Sequence, residues 1–467
     1  MKAHAAKAAL GIPASTRLPA SLFRAYDLRG IVGQDLDANA ALLIGRAIGS
    51  QSRRSGEQRT LVARDGRLSS PSLMQALQQG LLESGCEVID LGLVPSPLLY
   101  FAAQQLGIGS AVMLTGSHNP PDYNGFKILQ EGEPLTAAQI QSLKNTIENK
   151  DFISGQGSLR EQSITIDYCA ALTANIRLAK PLTVVIDCGN GATGVIAPRL
   201  FADLGCQVKT LFAEVDGRFP NHHPDPSQAE NLRKLIQAVK ASKADVGLAF
   251  DGDGDRLGVV TAQGQIIAAD RLLMLFAHEQ PGASVVFDVK CSHRLPQWIT
   301  QQGGKPLMVK TGRTTIRQTM QKSGALLGGE LSGHFCFADR WNGFDDALYA
   351  AARLLELLSA SEKPLAELIA VLPQDCSTAE IFIPVAEEEK FALIEHLQQQ
   401  GNFSGSQVNR LDGVRVDYPR GFALIRASNT KAALTLRFAA DDKAELKRIQ
   451  TRFAEQLRLI APNLTSF

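Results

Sequence analysis

Thr183-Val184-Val185-Ile186-Asp187 opens the stretch that decides the fold. A short β-branched run ending in a glycine-rich turn reads as a buried strand. It is followed by Gly189-Asn190-Gly191-Ala192-Thr193-Gly194, a helix carrying Ile196, Leu200 and Leu204, then Gly205 and a second strand from Val208 to Phe212. Strand, helix and strand at that length form a βαβ unit. The passage recurs on either side. Thr60 to Asp65 runs through a polar turn and a helix with Leu73, Leu77 and Leu81 to Gly85 and the strand Glu87 to Asp90. Ser284 to Asp288 runs through Trp298 and Ile299 to Gly303 and the strand Leu307 to Val309. Three tandem mixed α/β domains with at least partly parallel sheets are expected.

After about Pro373 the pattern changes to an α+β arrangement. A strand near Ala379 to Ile383 leads to a helix with Phe391, Ile394 and Leu397, then to strands near Val414 to Tyr418, Phe422 to Ala427 and Ala433 to Phe438. A last helix carries Leu446, Ile449, Phe453, Leu457 and Ile460 at helical spacings. The expected domains are 1–162, 163–265, 266–373 and 374–467. A chain of 467 residues has room for roughly three or four domains.

Lys plus Arg number 48 against 47 for Asp plus Glu, so no overall field draws the chain to nucleic acid or to an anionic membrane. Any phosphate recognition has to be local. Seven cysteines, scattered and free of CxxC spacing, argue for reduced thiols in a cytoplasmic protein. No apolar run approaches the roughly 20 residues that span a bilayer. Met1 to Ala20 lacks a continuous apolar segment and reads as an extension rather than a signal peptide.

Each α/β unit supplies one further strand that ends in a polar, glycine-containing loop. These loops are Thr115-Gly116-Ser117-His118-Asn119-Pro120, Asp251-Gly252-Asp253-Gly254-Asp255-Arg256 and Gly329-Glu330-Leu331-Ser332-Gly333-His334. The α+β unit adds Arg426-Ala427-Ser428-Asn429-Thr430, a cluster of donors suited to phosphate. Loops from several like domains suggest one cleft assembled between them.

In an extended backbone Asp251, Asp253 and Asp255 fall on one face, and the intervening glycines let the chain bend until their oxygens converge. An all-oxygen set suits Mg2+, Mn2+ or Ca2+ rather than zinc. An EF-hand needs Gly and Glu where Arg256 and Ala262 stand, so that motif is excluded. A Mg2+ site beside a phosphate remains, with Arg256 placed to clamp that phosphate. Ser117 stands where the strand Ala111 to Leu114 meets a glycine. Its exposure as a nucleophile is expected there, with His118, Asn119 and Lys127 as neighbouring donors.

A rival reading starts from Gly189 to Gly194, a formal GxGxxG with Glu214 about 20 residues further on. It would make the protein an NAD-dependent oxidoreductase. It explains one segment and none of the loops, and the same glycines also serve a tight strand-to-helix turn. His222 and His223 precede Pro224, a context of loop packing rather than of metal ligands.

Taken together the four loops resemble those of the alpha-D-phosphohexomutases, and within them the bacterial phosphomannomutase/phosphoglucomutase group, from about Phe23 to the C-terminus. The resemblance implies three α/β domains and a TATA-binding-protein-like fourth domain around a deep central cleft. It makes Ser117 a phosphoserine that holds Mg2+ together with Asp251, Asp253 and Asp255. Glu330 and Ser332 then bind sugar hydroxyls, and Arg426, Ser428, Asn429 and Thr430 hold the phosphate that is not reacting. Phe23 to Gly30 looks like the motif that begins the family's first domain and nominates Tyr26 and Arg29. Lys290 matches a substrate-contacting lysine, and Gly312 and Arg313 lie in a further substrate loop.

Three positions depart from the family pattern: Arg313 where His is frequent, Lys431-Ala432 in place of Thr-Pro, and Leu331 in place of Met.

The implied reaction is reversible phosphoryl transfer between C1 and C6 of glucose or mannose phosphates, through a 1,6-bisphosphate that turns end for end. Three carboxylates, a phosphoserine and one Mg2+ leave a net charge of roughly minus three, and a unit pair at ~4 Å is worth about 4 kcal/mol at an effective dielectric of ~20. Basic groups are therefore obligatory, and Arg29, Lys127, Arg256, Lys290 and Arg426 are the candidates. Lys127 and His334 are the candidate general acid and base, in either order. Glucose or mannose 1,6-bisphosphate is the expected activator, hexose phosphates are the expected partners, and a monomer with a mobile fourth domain is expected. Phosphoglucosamine mutase and a non-catalytic sugar-phosphate sensor are the alternatives. Gly116 stands where the former usually carries Ala, and the latter needs no serine nucleophile.

Overall fold

The structure, a computed structural model, describes residues 18–460 apart from Ala25, Glu387, Asn402, Ser404, Gly405, Asn429, Thr430 and Lys431. Four sheets follow one another along the chain. The first three are mixed and share one strand order. In the first, Tyr123–Gln130, Ser110–Leu114, Arg59–Arg64 and Glu87–Leu93 lie side by side, the last three parallel and the first antiparallel. In the second the order is Leu257–Thr261, Val246–Phe250, Thr183–Asp187 and Gln207–Leu211. In the third it is Phe335–Phe337, Leu327–Gly329, Ser284–Asp288 and Lys305–Val309. Each time a parallel strand ends, a loop follows, and the chain returns antiparallel on its outer side. Loops at the carboxyl ends of parallel strands are where α/β sheets bind ligands.

The first sheet is extended by Leu28–Ile31 beside Tyr123–Gln130 and by Ser158–Glu161 beside Glu87–Leu93. A continuous apolar core, with Leu61, Val184, Val285 and the helix Ala347–Ala360, runs through all three sheets. Asp346 caps that helix through Tyr349 N at 3.0 Å and accepts from Tyr168 and from the Trp341 indole. Burial, partly offset by these donors, lifts its carboxyl to about 6.

The fourth sheet is antiparallel, built from Cys376–Ser377, Ile381–Pro384, Gln407–Asn409, Val414–Tyr418, Gly421–Ala427 and Ala433–Ala440. Ile394, Leu397, Ile449, Phe453 and Leu457 from its helices cover it. Phe391, placed by spacing with Ile394 and Leu397, is 59% exposed. Steps of three drift by about 60° each on a 3.6-residue helix, and the stripe that packs follows Leu393, Ile394 and Leu397 instead.

The fourth domain docks on the third through Val289, Phe422, Leu424 and Ala439. Arg415 lies over the Phe422 ring and donates to Val289 O at 2.6 Å and Cys291 O at 2.7 Å.

The glycine fingerprint has a structural use. Ala192 to Val195 is a 3-10 turn before the seven-residue helix Ala197–Asp203. A Cβ at Gly194 would stand 1.9 Å from Ala213 O, and one at Gly191 would stand 2.8 Å from Gly252 O. His222 packs likewise, with Nε2 at 3.0 Å from Asp187. All seven cysteines are free thiols, and no described helix is long and apolar enough to cross a membrane.

Candidate active site

Ser117 follows the strand Ser110–Leu114 with φ 48°, a left-handed turn that a non-glycine residue adopts only when its surroundings hold it there. What holds it is Asp65 and Arg67. Asp65 accepts from Thr115 Oγ1 at 2.8 Å and Gly116 N at 3.2 Å. The buried Arg67 guanidinium donates to Ser117 O at 2.7 Å, Asn119 O at 2.6 Å and Tyr123 O at 2.9 Å. Gly116 is seated directly on it, since a Cβ there would stand 2.4 Å from Arg67 Cζ. No motif in the sequence sets Asp65 or Arg67 apart as a site residue. The available signal was the polar turn after the strand Thr60 to Asp65, whose neighbour in the sheet carries the serine.

Ser117 Oγ donates to Asp251 Oδ2 at 2.8 Å and lies 3.2 Å from His118 Nδ1. The second loop comes this close because position 252 is glycine, where a Cβ would stand 2.4 Å from Ser117 O. Asp251, Asp253 and Asp255 are completely buried, with one oxygen of each within 4.8 Å of the others. They converge by coiling, not by lying on one face of an extended chain. Gly254 N, Asp255 N and Arg256 N all donate to Asp251 Oδ1, at 2.9, 3.0 and 3.2 Å, so the loop winds around the first carboxylate. Asp253 Oδ1 is buried without a hydrogen-bond partner. Asp255 Oδ1 is likewise without one, and three buried carboxylates that converge with two oxygens unsatisfied fit a hard cation.

Charge balance comes from the other domains. Lys127 Nζ donates to Asp253 Oδ2 at 2.5 Å and to Asp255 Oδ2. Burial works against its charge, but the two carboxylates outweigh that and hold the ammonium above its usual range. Burial, with the charges of Asp255 and Asp253, pushes Asp251 well above the carboxylate range. Asp255 is held well below it: burial opposes its charge, and Lys127 and His334 overcome that.

His334 lies between Asp255 Oδ1 at 3.3 Å and Glu330 Oε2 at 2.9 Å. Burial is outweighed by these acids, and the ring rises to about 9. Glu330 in turn accepts from Gly312 N at 2.7 Å and falls to about 2, its burial overcome by His334, Lys290 and that amide. His118 goes the other way. Burial and the nearby Arg256 and Arg29 push it well below the usual imidazole range.

Tyr26, Arg29, Ser117, His118, Lys127, Asp255, Arg256, Lys290, Gly312, Arg313, Glu330, Ser332, His334, Arg426 and Ser428 all line one cleft of about 560 Å3, with Asp251 and Asp253 beneath it. Asn429 and Thr430 lie outside the described residues. Arg29 crosses the nucleophile loop to Asn119, and Arg256 Nη1 is 3.9 Å from Asp225. Lys290 is 3.4 Å from Glu380 of the fourth domain. Arg313 is bonded to Tyr100 and lies 3.7 Å from Asp345. Tyr100, Asp345 and Glu380 were not legible in sequence. A larger hollow of about 1180 Å3, lined by His293, Met308 and Asn409, contains none of the four loops.

So many fixed charges around one serine hydroxyl belong to phosphoryl transfer, a class of enzyme that works almost wholly by positioning and charge. The chain matches the phosphoglucomutase/phosphomannomutase alpha/beta/alpha domains I, II and III over residues 20–154, 166–264 and 265–376, and that family's C-terminal domain over 380–456. A phosphomannomutase/phosphoglucomutase of Pseudomonas aeruginosa is 55% identical over 451 residues, 96% of this chain and 97% of its own. A phosphoglucomutase of Neisseria gonorrhoeae is 50% identical over 440 residues, 92% and 95% of the two chains. The structure of a phosphoglucomutase/phosphomannomutase family protein from Burkholderia thailandensis superposes with TM-score 0.91 at 46% identity, covering 96% of this chain and 99% of that one. The chain therefore belongs to the phosphoglucomutase/phosphomannomutase family of alpha-D-phosphohexomutases.

Proposed function

We propose that the protein interconverts the 1- and 6-phosphates of glucose and of mannose, with Ser117 as the phosphoryl carrier. The observation that carries this is the contact of Ser117 Oγ with Asp251 at the foot of a cleft into which all four domains send a loop. Phosphorylated Ser117, Asp251, Asp253 and Asp255 would hold one Mg2+, whose charge would offset the crowding of carboxylate and phosphate oxygens.

The transfer exchanges a phosphoryl group for a proton. As the bond from phosphorus to Ser117 Oγ breaks and the bond to the sugar oxygen forms, that hydroxyl gives up its proton and Oγ comes to carry one. His118, kept neutral and 3.2 Å from Oγ, is placed to handle the proton on the serine. Lys127 and His334, both protonated at neutral pH, fit the return transfer, in which His118 takes the Oγ proton and one of the two gives a proton to the sugar oxygen as its bond to phosphorus breaks; in the outward transfer that same group, having given up its proton, takes the one from the sugar hydroxyl. Arg29 and Lys127 stabilise the group in flight.

The resulting 1,6-bisphosphate turns end for end and returns its other phosphoryl to Ser117. Arg426 supports the distal phosphate subsite: it is buried in the cleft wall with Nη2 unpartnered. Ser428, Asn429 and Thr430 belong to the same loop. A rotated pyranose nearly exchanges its 3- and 4-hydroxyls, so Glu330 and Ser332 can grip either orientation while C2 goes largely unread. Tyr26, Arg256, Lys290, Gly312 and Arg313 complete the substrate wall.

A coupled assay with glucose 1-phosphate, mannose 1-phosphate and glucosamine 1-phosphate, with and without Mg2+, tests the reading. Comparable turnover of the first two, dependence on the ion and silence of Ser117→Ala are expected. Undiminished turnover by Ser117→Ala refutes the carrier role.

A further inference from the structure

The tip of the hairpin between Gln407–Asn409 and Val414–Tyr418 carries Asp412 to the rear of the Arg426 guanidinium. One carboxylate oxygen, Oδ2, accepts from Arg426 Nε at 2.9 Å and from the backbone N–H of Thr311 at 3.0 Å. Thr311 belongs to the third domain, in the loop that presents Gly312 and Arg313 to the cleft. Its carbonyl is bound as well, by Tyr26 Oη of the first domain at 3.0 Å, and its hydroxyl donates to Asp288 at 3.1 Å. Domains one, three and four thus meet on the backbone of one residue.

Asp412 is held there by its neighbour. Gly413 has φ 80°, and a Cβ on it would come 2.1 Å from Ile425 O and 2.7 Å from Arg426 Cα. The hairpin tip therefore lies flat on the backbone of Arg426, and the carboxylate follows. Arg426 is gripped at Nε from behind the wall, while its buried Nη2 has no partner. A guanidinium on a long flexible stem gains binding strength when its plane is fixed in advance.

We propose that Asp412 is a positioning residue that aims Arg426 at the distal phosphate and, through the same oxygen, couples the phosphate loop of the fourth domain to the substrate loop of the third. It does not line the cleft and acts through Arg426 and Thr311. The proposal rests on the reading of Arg426 as a phosphate ligand.

Steady-state kinetics with glucose 1-phosphate on Asp412→Asn, Asp412→Ala, Arg426→Ala and the double alanine variant, each checked for fold by circular dichroism, provide the test. A charge-assisted hydrogen bond lost on the binding side predicts a KM raised about tenfold or more in Asp412→Ala, with kcat within about threefold. Asp412→Asn, whose amide oxygen still accepts, falls between wild type and the alanine variant. Because Asp412 acts through Arg426, the double variant is no worse than Arg426→Ala alone. An unchanged KM in folded Asp412→Ala, or losses that multiply in the double variant, overturns the proposal and leaves the phosphate reading intact if Arg426→Ala is impaired. A wild-type KM in Arg426→Ala overturns both. Should Asp412→Ala not fold, the same cycle with Asp412→Asn decides by the same criteria.

Discussion

Ser117 Oγ and Asp251 Oδ2 meet at 2.8 Å across the seam between the first two domains, so the serine proposed as phosphoryl carrier is bonded to the acidic loop proposed to hold the cation. Asp251 has a second task, since its other oxygen receives three backbone N–H groups of its own loop. Asp251→Asn separates the two. An amide oxygen can still organise the loop, but an amide offers no anionic ligand to a cation. The variant is expected to melt no lower than wild type without Mg2+, to lose most of the rise in melting temperature that Mg2+ gives, and to turn over at least about tenfold more slowly. Thermal melts with and without the ion, beside the coupled assay, check this. A full Mg2+-dependent rise in the variant would remove Asp251 from the cage.

Gly116 is packed against the guanidinium that shapes the nucleophile turn. In Gly116→Ala the new methyl has to displace Arg67, whose bonds to Ser117 O and Asn119 O fix the left-handed serine. Turnover is expected to fall by roughly tenfold or more with KM changed much less, because a misplaced nucleophile costs rate rather than affinity. Wild-type kcat in this variant would show that the Arg67 contact is dispensable.

Glu330 carries a pH dependence of definite sign. Its folded-state pKa, about 2, lies below the ordinary 4.5, so its ionised form contributes stability that is complete above about 4.5 and is lost as pH falls toward 2. Wild type should therefore exceed Glu330→Gln in denaturant midpoint by an amount that is constant between about pH 5 and 6, where His334 is protonated in both folded and unfolded chains, and that shrinks as pH drops below about 4.5. A gap that stays constant or widens on acidification would contradict the assignment.

The fourth domain rests on the third through a small apolar patch and the Arg415 bonds to Val289 O and Cys291 O, while Glu380 holds Lys290 at 3.4 Å. A ligand phosphate that takes Lys290 and Arg426 together would draw this domain inward. Small-angle scattering of Ser117→Ala, which cannot turn over the ligand, should show a smaller radius of gyration with glucose 1,6-bisphosphate than without. Superimposable profiles would rule out closure.

Sequence made the loops legible wherever chemistry is contiguous. Asp251, Asp253 and Asp255 sit within five residues, and Glu330, Ser332 and His334 repeat the same alternation. The shared βαβ passages likewise announced three sheets, because β-branched runs and glycine turns are local signals. Asp65, Arg67, Tyr100, Asp345 and Asp412 stayed hidden for the opposite reason. Each acts on a partner distant in sequence, from Arg313 for Asp345, 32 residues away, to Arg313 for Tyr100, 213 residues away, and only strand order and the docking of domains bring the pairs together. The coiling of the acidic loop was hidden too, since backbone donors to Asp251 leave no trace in side-chain spacing.

The close approach of Gly252 to the carbonyl of Ser117 sets the gap between the two halves of the chemistry by main chain touching main chain. No rotamer intervenes, so the separation is as stiff as the sheets behind it and does not loosen when side chains hop. The same contact closes position 252 to all other amino acids, which makes it a place where a single added methyl would wedge Ser117 and the acidic loop apart without altering either.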